Sequence, residues 1–502
     1  MTRTAVLLPA LSKEIRALLP LWGTSIAAIA VAFVWRDDHR LLLSGPTLAL
    51  FVYVVGSLAI GAQSVGQEYA YRTLPMLLSQ PADRRRLYLL KFMVSAVMLL
   101  TLAALAGTTF ARMWRPESAR FGVIVLPVLC GLFLAPLLTM ICRSTLAGMI
   151  LGGTVMASTW LATLVIAWFG FGIDTETTES MLLGRWTLVM TVVCPVVGLL
   201  GWRRFRELEA IDVASPALHL PRWLQRPQGA RGHHPLRALA VKEVQLQLMA
   251  FVIAGLHIIG WAIFVLLQNY VPSMATFPVG AVLLLYSIGL AIAIGALASA
   301  EERQHGTLDW QLLQPSPAWQ QWMVKVAVAF AVALLLGVGL PILLNQLTPF
   351  ESLRIRMAAD VGVLIVLLTA SSIYISSLSS SGVRAMVLSL PIGMAVAYFV
   401  QIGSGALRWV TLQLAGPLMA DIVTGAVAPS SVDPADVLIF AARGFSLTLA
   451  PLLLWFGFVN HMSSERTAKR IAEQIAWIAL VVMTGIVLVG GVLAFYEVRA
   501  AR

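Results

Sequence analysis

The chain has 502 residues, of which 59% are hydrophobic and 12% charged, and a formal net charge of +11. Soluble domains carry about a quarter charged residues, so this composition excludes an ordinary soluble protein and indicates an integral membrane protein. The 35 Lys and Arg are dispersed among the ends of apolar runs, which makes the charge a signal of membrane topology and argues against nucleic-acid binding.

A span needs about 20 largely apolar residues to cross roughly 30 Å of hydrocarbon. The N-terminus is not a cleavable signal peptide, because Lys13, Glu14 and Arg16 interrupt its apolar run. It reads as an amphipathic helix in the interface ahead of the first span. Apolar runs follow at about 19–35, 45–64, 88–111, 121–141, 145–170 and 181–201. Residues 203–238 are polar, basic and Pro-containing and read as a cytoplasmic linker. Six further runs lie at about 250–268, 278–299, 323–344, 357–377, 383–402 and 438–459, and 475–496 makes a thirteenth.

The predicted fold is therefore an all-α integral membrane protein: two tandem six-helix repeats of the same orientation plus a C-terminal thirteenth helix. Its expected divisions are 1–202, the linker 203–238, 239–460, and a basic C-terminal segment with the extra span at 461–502. Placing the N-terminus in the cytoplasm puts 23 of the 35 Lys and Arg on that side, the bias that the positive-inside rule requires.

The halves repeat in detail. SKEIRALLPLW at 12–22 is echoed by VKEVQLQLMAF at 241–251, and CRSTLAGM at 142–149 by GVRAM at 382–386. Residues 61–91 and 295–325 align without gaps and agree at nine of 31 positions: Gly61/Gly295, Ala62/Ala296, Glu68/Glu302, Thr73/Thr307, Leu74/Leu308, Leu78/Leu312, Gln80/Gln314, Pro81/Pro315 and Lys91/Lys325. Shared apolar composition does not produce matches at polar and turn-forming positions, so this is an internal duplication. Its place between two apolar runs gives it a task on the water side.

The fuller copy reads Glu302, Arg303, Gly306, Thr307, Leu308, Leu312, Gln314, Pro315 and then Lys325. Gly306 permits a left-handed turn, Thr307 can cap a helix start, Leu308 and Leu312 share a helical face, and Pro315 ends the helix. Glu302 is expected to pair with a basic group, and Lys325 to reach lipid phosphate or nearby carboxylates. The first copy differs in Tyr69, Arg72 and the triple Arg84, Arg85, Arg86.

With these residues in view, the chain resembles the membrane subunit of type-2, export-type ATP-binding-cassette (ABC) transporters, with two half-permeases fused in one chain. The resemblance implies that the segment between spans two and three of each half is a coupling helix docking on an ATPase. The coupling residues would be Glu68, Thr73, Leu74, Leu78, Gln80, Pro81 and Lys91 in the first half. The second half would contribute the nine residues just named. It further implies two ATPase subunits per chain, binding the ATP and Mg, and an inner-membrane location. A substrate path along spans two and five would involve Tyr53, Trp160, Tyr286 and Tyr398, with Gln401 at a rim. The apolar lining suggests a hydrophobic or amphipathic cargo.

Other features narrow the field. No lysine follows a glycine, so the chain has no P-loop and is not itself the ATPase. Every acidic residue falls in a loop, linker or span end, against the mid-depth carboxylates of ion-coupled carriers. An ion-coupled secondary transporter, and a non-transporting accessory or sensor subunit, are the competing readings. Cys130, Cys142 and Cys194 lack disulfide or zinc spacing, and His257 reads as a packed interior residue.

Overall fold

The protein is seen in a computed structural model, which describes residues 3–34, 45–71, 73–78, 83–113, 119–171, 179–208, 235–268, 279–304, 306–307, 316–347, 355–393, 434–463 and 467–500. The regular elements among them are all helical, as hydrocarbon demands of a chain that must satisfy its own backbone polar groups. In the first half they are α1 (Arg3–Val34), α2 (Gly45–Ala70), the short α3 (Leu74–Leu78), α4 (Arg84–Met113), α5 (Ala119–Leu129), α6 (Ala135–Cys142), α7 (Thr145–Phe171) and α8 (Glu179–Arg206). Then come α9 (Pro235–Leu246), α10 (Leu248–Gln268), α11 (Val279–Gln304), α12 (Ala318–Leu334), α13 (Leu340–Gln346), α14 (Ile355–Leu378), α15 (Gly382–Gly393), α16 (Pro434–His461) and α17 (Ala468–Ala500).

Eleven stretches among the described residues are helical, long and apolar enough to cross a membrane, so this is a multi-pass all-α membrane protein. Each coincides with an apolar run read from the sequence. The run at 145–170 is the 27-residue α7, and the run at 383–402 begins as α15, its remainder lying outside the described residues. Most of the linker also lies outside them.

Two departures from the expected elements have local causes. Residues 3–34 form one continuous helix, with Pro9 and Pro20 inside it, and not an interfacial helix followed by a separate span. Leu18, buried at the matching position, carries no polar group that bonds a neighbouring helix. In the second half the break does occur, at the residue the echo aligns with Leu18: Gln247 separates α9 from α10, and its side chain donates to the Ile294 carbonyl at 3.2 Å.

Two helices widen into a π turn, Cys130–Leu134 between α5 and α6 and Leu335–Gly339 between α12 and α13, and each turn is followed at its second residue by proline, Pro136 or Pro341. A proline cannot donate to the carbonyl four residues back, and the π turn absorbs that mismatch. The Gly337 carbonyl, which Pro341 leaves without its helical donor, instead accepts the Ser287 hydroxyl at 2.7 Å.

The main core draws on both halves, joining Tyr53, Leu99 and Met149 to Ile288, Ile292 and Met386. Its central helices are α2 and α11, where 72% and 78% of the apolar window is buried against 17% for α10. Both approach a neighbour at matched glycines. A Cβ on Gly61 would overlap the Gly131 carbonyl of the first π turn, and one on Gly295 would overlap Ser372 and Thr369 of α14.

Candidate functional site

At one end of the first half, α1, α2 and α4 converge on four charges. Lys91 of α4 lies 2.7 Å from Glu14 of α1 and 3.1 Å from Glu68 of α2, and its third hydrogen bond goes to the Ser64 carbonyl at 3.0 Å. The remaining oxygen of Glu14 accepts Gln67 at 2.7 Å, and that of Glu68 accepts the Thr73 hydroxyl. Lys13, half exposed at the rim, pairs with Glu68 at 3.0 Å.

The second half builds the same object from the matching residues. Lys325 of α12 lies 3.3 Å from Glu243 of α9 and 2.9 Å from Glu302 of α11, and donates to the Ala298 carbonyl at 2.6 Å. Ser64 and Ala298 correspond at the same gap-free offset that relates Glu68 to Glu302 and Lys91 to Lys325. The rim lysine is Lys242, 2.6 Å from Glu302 and 3.8 Å from Glu243. Burial pushes the Glu243 carboxyl above the ordinary carboxylate range; Lys325 opposes that push and Glu302 reinforces it.

Each cluster thus holds two lysines and two glutamates and is formally neutral, which is how buried charge is tolerated. The chain has five lysines, and four of them are these. Everywhere else but Lys469 it uses arginine, so the small ammonium is what these sites require. Among the described residues no group of His, Cys, Asp or Glu is arranged to hold a metal.

Beyond the clusters, the chain leaves α2 and α11 by a shared backbone turn. The Thr73 N–H donates to the Glu68 carbonyl at 3.0 Å, and the Thr307 N–H to the Glu302 carbonyl at 2.9 Å. In the second copy Gly306, at φ +65°, also donates to Arg303, which completes a Schellman cap. Thr307 therefore closes the end of α11, and the helix start that the sequence suggests after it lies outside the described residues. In the first copy α3 follows at once. Its Leu74 is fully buried with Val65, Tyr69, Met140, Phe205 and Leu208, while Pro75 and Met76 face outward.

The expected coupling residues therefore divide. Glu68, Lys91, Glu302 and Lys325 are buried and paired across neighbouring helices of this chain, and Lys325 has no exposure to lipid phosphate. Arg303 donates to the Asn460 carbonyl at 2.7 Å. Gly306 and Thr307 are exposed, and Leu78 lies at the end of α3. Gln80, Pro81, Leu308, Leu312, Gln314 and Pro315 lie outside the described residues.

The expected path residues that are described pack against their own neighbours. Tyr53 is fully buried, donating to the Ile124 carbonyl at 2.5 Å with its ring edge-on to Phe110. Trp160 packs edge-on against Trp186. Tyr286 donates to the Leu336 carbonyl in the second π turn and stacks on His257 at 3.8 Å. Tyr398 and Gln401 lie outside the described residues.

Lys13, Glu14, Lys242 and Glu243 were visible in the sequence as an echo but not as part of the site. Their shared signal is lysine scarcity combined with positions that match between the halves. Comparison with family models, with curated proteins and with solved structures finds no match for this chain.

Proposed function

We propose that the chain is the membrane subunit of an ABC-type exporter, two half-permeases in one polypeptide, moving a hydrophobic or amphipathic compound under the power of a separate ATPase. The observation that carries this reading is the duplicated charge cluster. It locks the first helix of each half, the end of the second span and the start of the third around the short segment that the resemblance assigns to ATPase coupling. A force applied to that segment from the water side would reach three helices at once through direct ion pairs.

In this reading the halves are 1–202 and 239–460, joined by the linker 203–238, and 461–502 adds a thirteenth span. The N-terminus is cytoplasmic, the membrane is a bacterial-type inner membrane, and two ATPase subunits bring the ATP and Mg. Because Glu68 and Glu302 are buried, the docking contacts fall to exposed neighbours such as Pro75, Met76 and Thr307.

The deciding experiment is co-purification of the chain with an ATPase subunit, followed by ATP turnover and vesicle transport assays with candidate amphipathic cargos. Stimulated, vectorial transport supports the reading, and transport without any ATPase partner overturns it. The second reading, an ion-coupled carrier, draws on one observation: Glu14, Glu68 and Glu302 are buried carboxylates within helices long enough to span. Cargo uptake driven by an imposed pH gradient in the absence of ATP would favour it.

A further inference from the structure

The triple arginine that opens α4 has no counterpart in the second half, where Ala318, Trp319 and Gln320 hold its place. In space it meets a second group of arginines. Arg84 donates to the Leu208 carbonyl at 3.1 Å and also to that of Arg206, which brings Arg84, Arg85 and Arg86 beside Arg203, Arg204 and Arg206 at the end of α8. Beneath them Tyr88 packs between Trp202 and Phe205, at 5.3 Å from each ring, and Arg206 lies over Trp202.

The second half repeats the aromatic wedge without the two arginine groups, a single arginine, Arg303 of α11, donating to the Asn460 carbonyl there. Trp322, aligned with Tyr88, packs against Phe458 and His461, which correspond to Trp202 and Phe205. That register puts Val459, Asn460 and Met462 where the first half has Arg203, Arg204 and Arg206. Asn460 is covered by the protein itself: it exchanges hydrogen bonds with Gln474 of α17 at 2.9 and 3.1 Å. Among the described residues no further helix packs there in the first half, and Arg85, Arg86, Arg203 and Arg206 are exposed.

The surface continues into the membrane as apolar. Leu89 and Met93 on α4, and Val196 and Leu199 on α8, are exposed within about three turns of the arginines. Two acidic residues border the patch, Asp83, whose carboxylate accepts the Arg85 backbone N–H at 3.0 Å, and Glu207. Among the described residues, six arginines therefore stand against two carboxylates. A partner that fits must be anionic at its head and apolar along its length, as an acidic soluble protein or a free phosphate is not.

We propose that the six-arginine patch formed by the start of α4 and the end of α8 is a binding site for an anionic phospholipid, with the phosphate on the arginines and the acyl chains along the exposed faces of the two helices. The lipid covers in the first half the place that α17 covers in the second. Basic groups at the cytoplasmic end of membrane helices attract acidic headgroups in this way. The inference requires only that the chain lies in a membrane, not that it transports.

The test uses the full chain purified in detergent and exposed to mixed phosphatidylglycerol and phosphatidylcholine, with retained lipids counted by native mass spectrometry. Arg84 is kept, because it also ties α4 to α8. The variant R85Q/R86Q/R203Q/R206Q should lower phosphatidylglycerol retention by on the order of tenfold, while K469Q/R470Q at the start of α17 leaves it near the wild-type level. A photoreactive phosphatidylglycerol on the unaltered chain should crosslink within 84–93 and 196–206, which keeps the test valid if the variant folds poorly. Crosslinks elsewhere, unchanged retention in the quadruple variant, or equal competition by soluble glycerol phosphate would overturn the proposal. So would loss of an acidic protein partner with lipid retention intact.

Discussion

Lys325 lies 2.9 Å from Glu302 with neither side chain open to solvent, and in the other half Lys91 repeats the contact with Glu68 at 3.1 Å. Each ammonium also faces a second glutamate, so removing one buried lysine leaves two carboxylates with only the rim lysine to offset them. Lys325→Met should therefore destabilise the protein by about 3–5 kcal/mol, the range found when one partner of a buried ion pair is deleted. Adding Glu302→Gln to it should recover part of the loss. Unfolding followed in detergent micelles measures both, and a Lys325→Met protein as stable as the wild type would show that the cluster carries no such constraint.

A subtler substitution separates charge from shape. Lys91→Arg and Lys325→Arg keep the positive charge, but a planar guanidinium cannot replace an ammonium whose three donors reach two carboxylates and a carbonyl in a closed space. Both variants should lose about 1–3 kcal/mol through overpacking. Lys13→Arg, at the half-exposed rim, should be tolerated. Equal tolerance at all three positions would mean that the lysine preference has another origin.

The matched glycines test the helix approaches on which these clusters rest. Gly61→Ala drives a methyl group into the Gly131 carbonyl, a backbone atom that cannot step aside, and Gly295→Ala meets Thr369 and Ser372 in the same manner. Both should destabilise by about 1–3 kcal/mol. Gly184→Ala on α8 has open space around it and serves as the control, with no loss expected. Thermal unfolding of the three proteins side by side decides the matter.

Much of this was legible in the sequence because membrane helices announce themselves by length and polarity, and because Glu68, Lys91, Glu302 and Lys325 stand out at matched positions beside apolar runs. Their mutual contact was not legible. It depends on three helix ends converging, and the Lys-Glu echo at residues 13–14 and 242–243 says nothing by itself about which helix it faces. Tyr53 and Tyr286 show the complementary limit. An aromatic in an apolar run can face a path, a lipid or a neighbouring carbonyl, and here both hydroxyls satisfy carbonyls of neighbouring helices. The single helix at residues 3–34 was hidden for a related reason, since charges near a helix end look interfacial until Glu14 finds its buried partners.

The last prediction concerns α17. Gly485, Gly490 and Gly491 loosen its sequence enough to allow a helix that lies along the membrane or re-enters it. The structure gives one continuous helix of 33 residues, about 50 Å at 1.5 Å per residue. It runs antiparallel to α16: Gln474 bonds Asn460 near one end, and Gly485 provides the space in which Phe445 lies farther along. Gly485 is thus a packing position, and Gly485→Leu should detach the helix. Gln474→Leu should cost about 1–3 kcal/mol by stranding the buried Asn460 amide. If α17 crosses, the C-terminus lies opposite the face that carries the charge clusters. A cysteine placed after Arg502, with Cys130, Cys142 and Cys194 replaced, should react with a membrane-impermeant thiol reagent in intact cells, while one placed before Lys13 stays protected until the cells are broken. Protection of both would mean that the helix turns back.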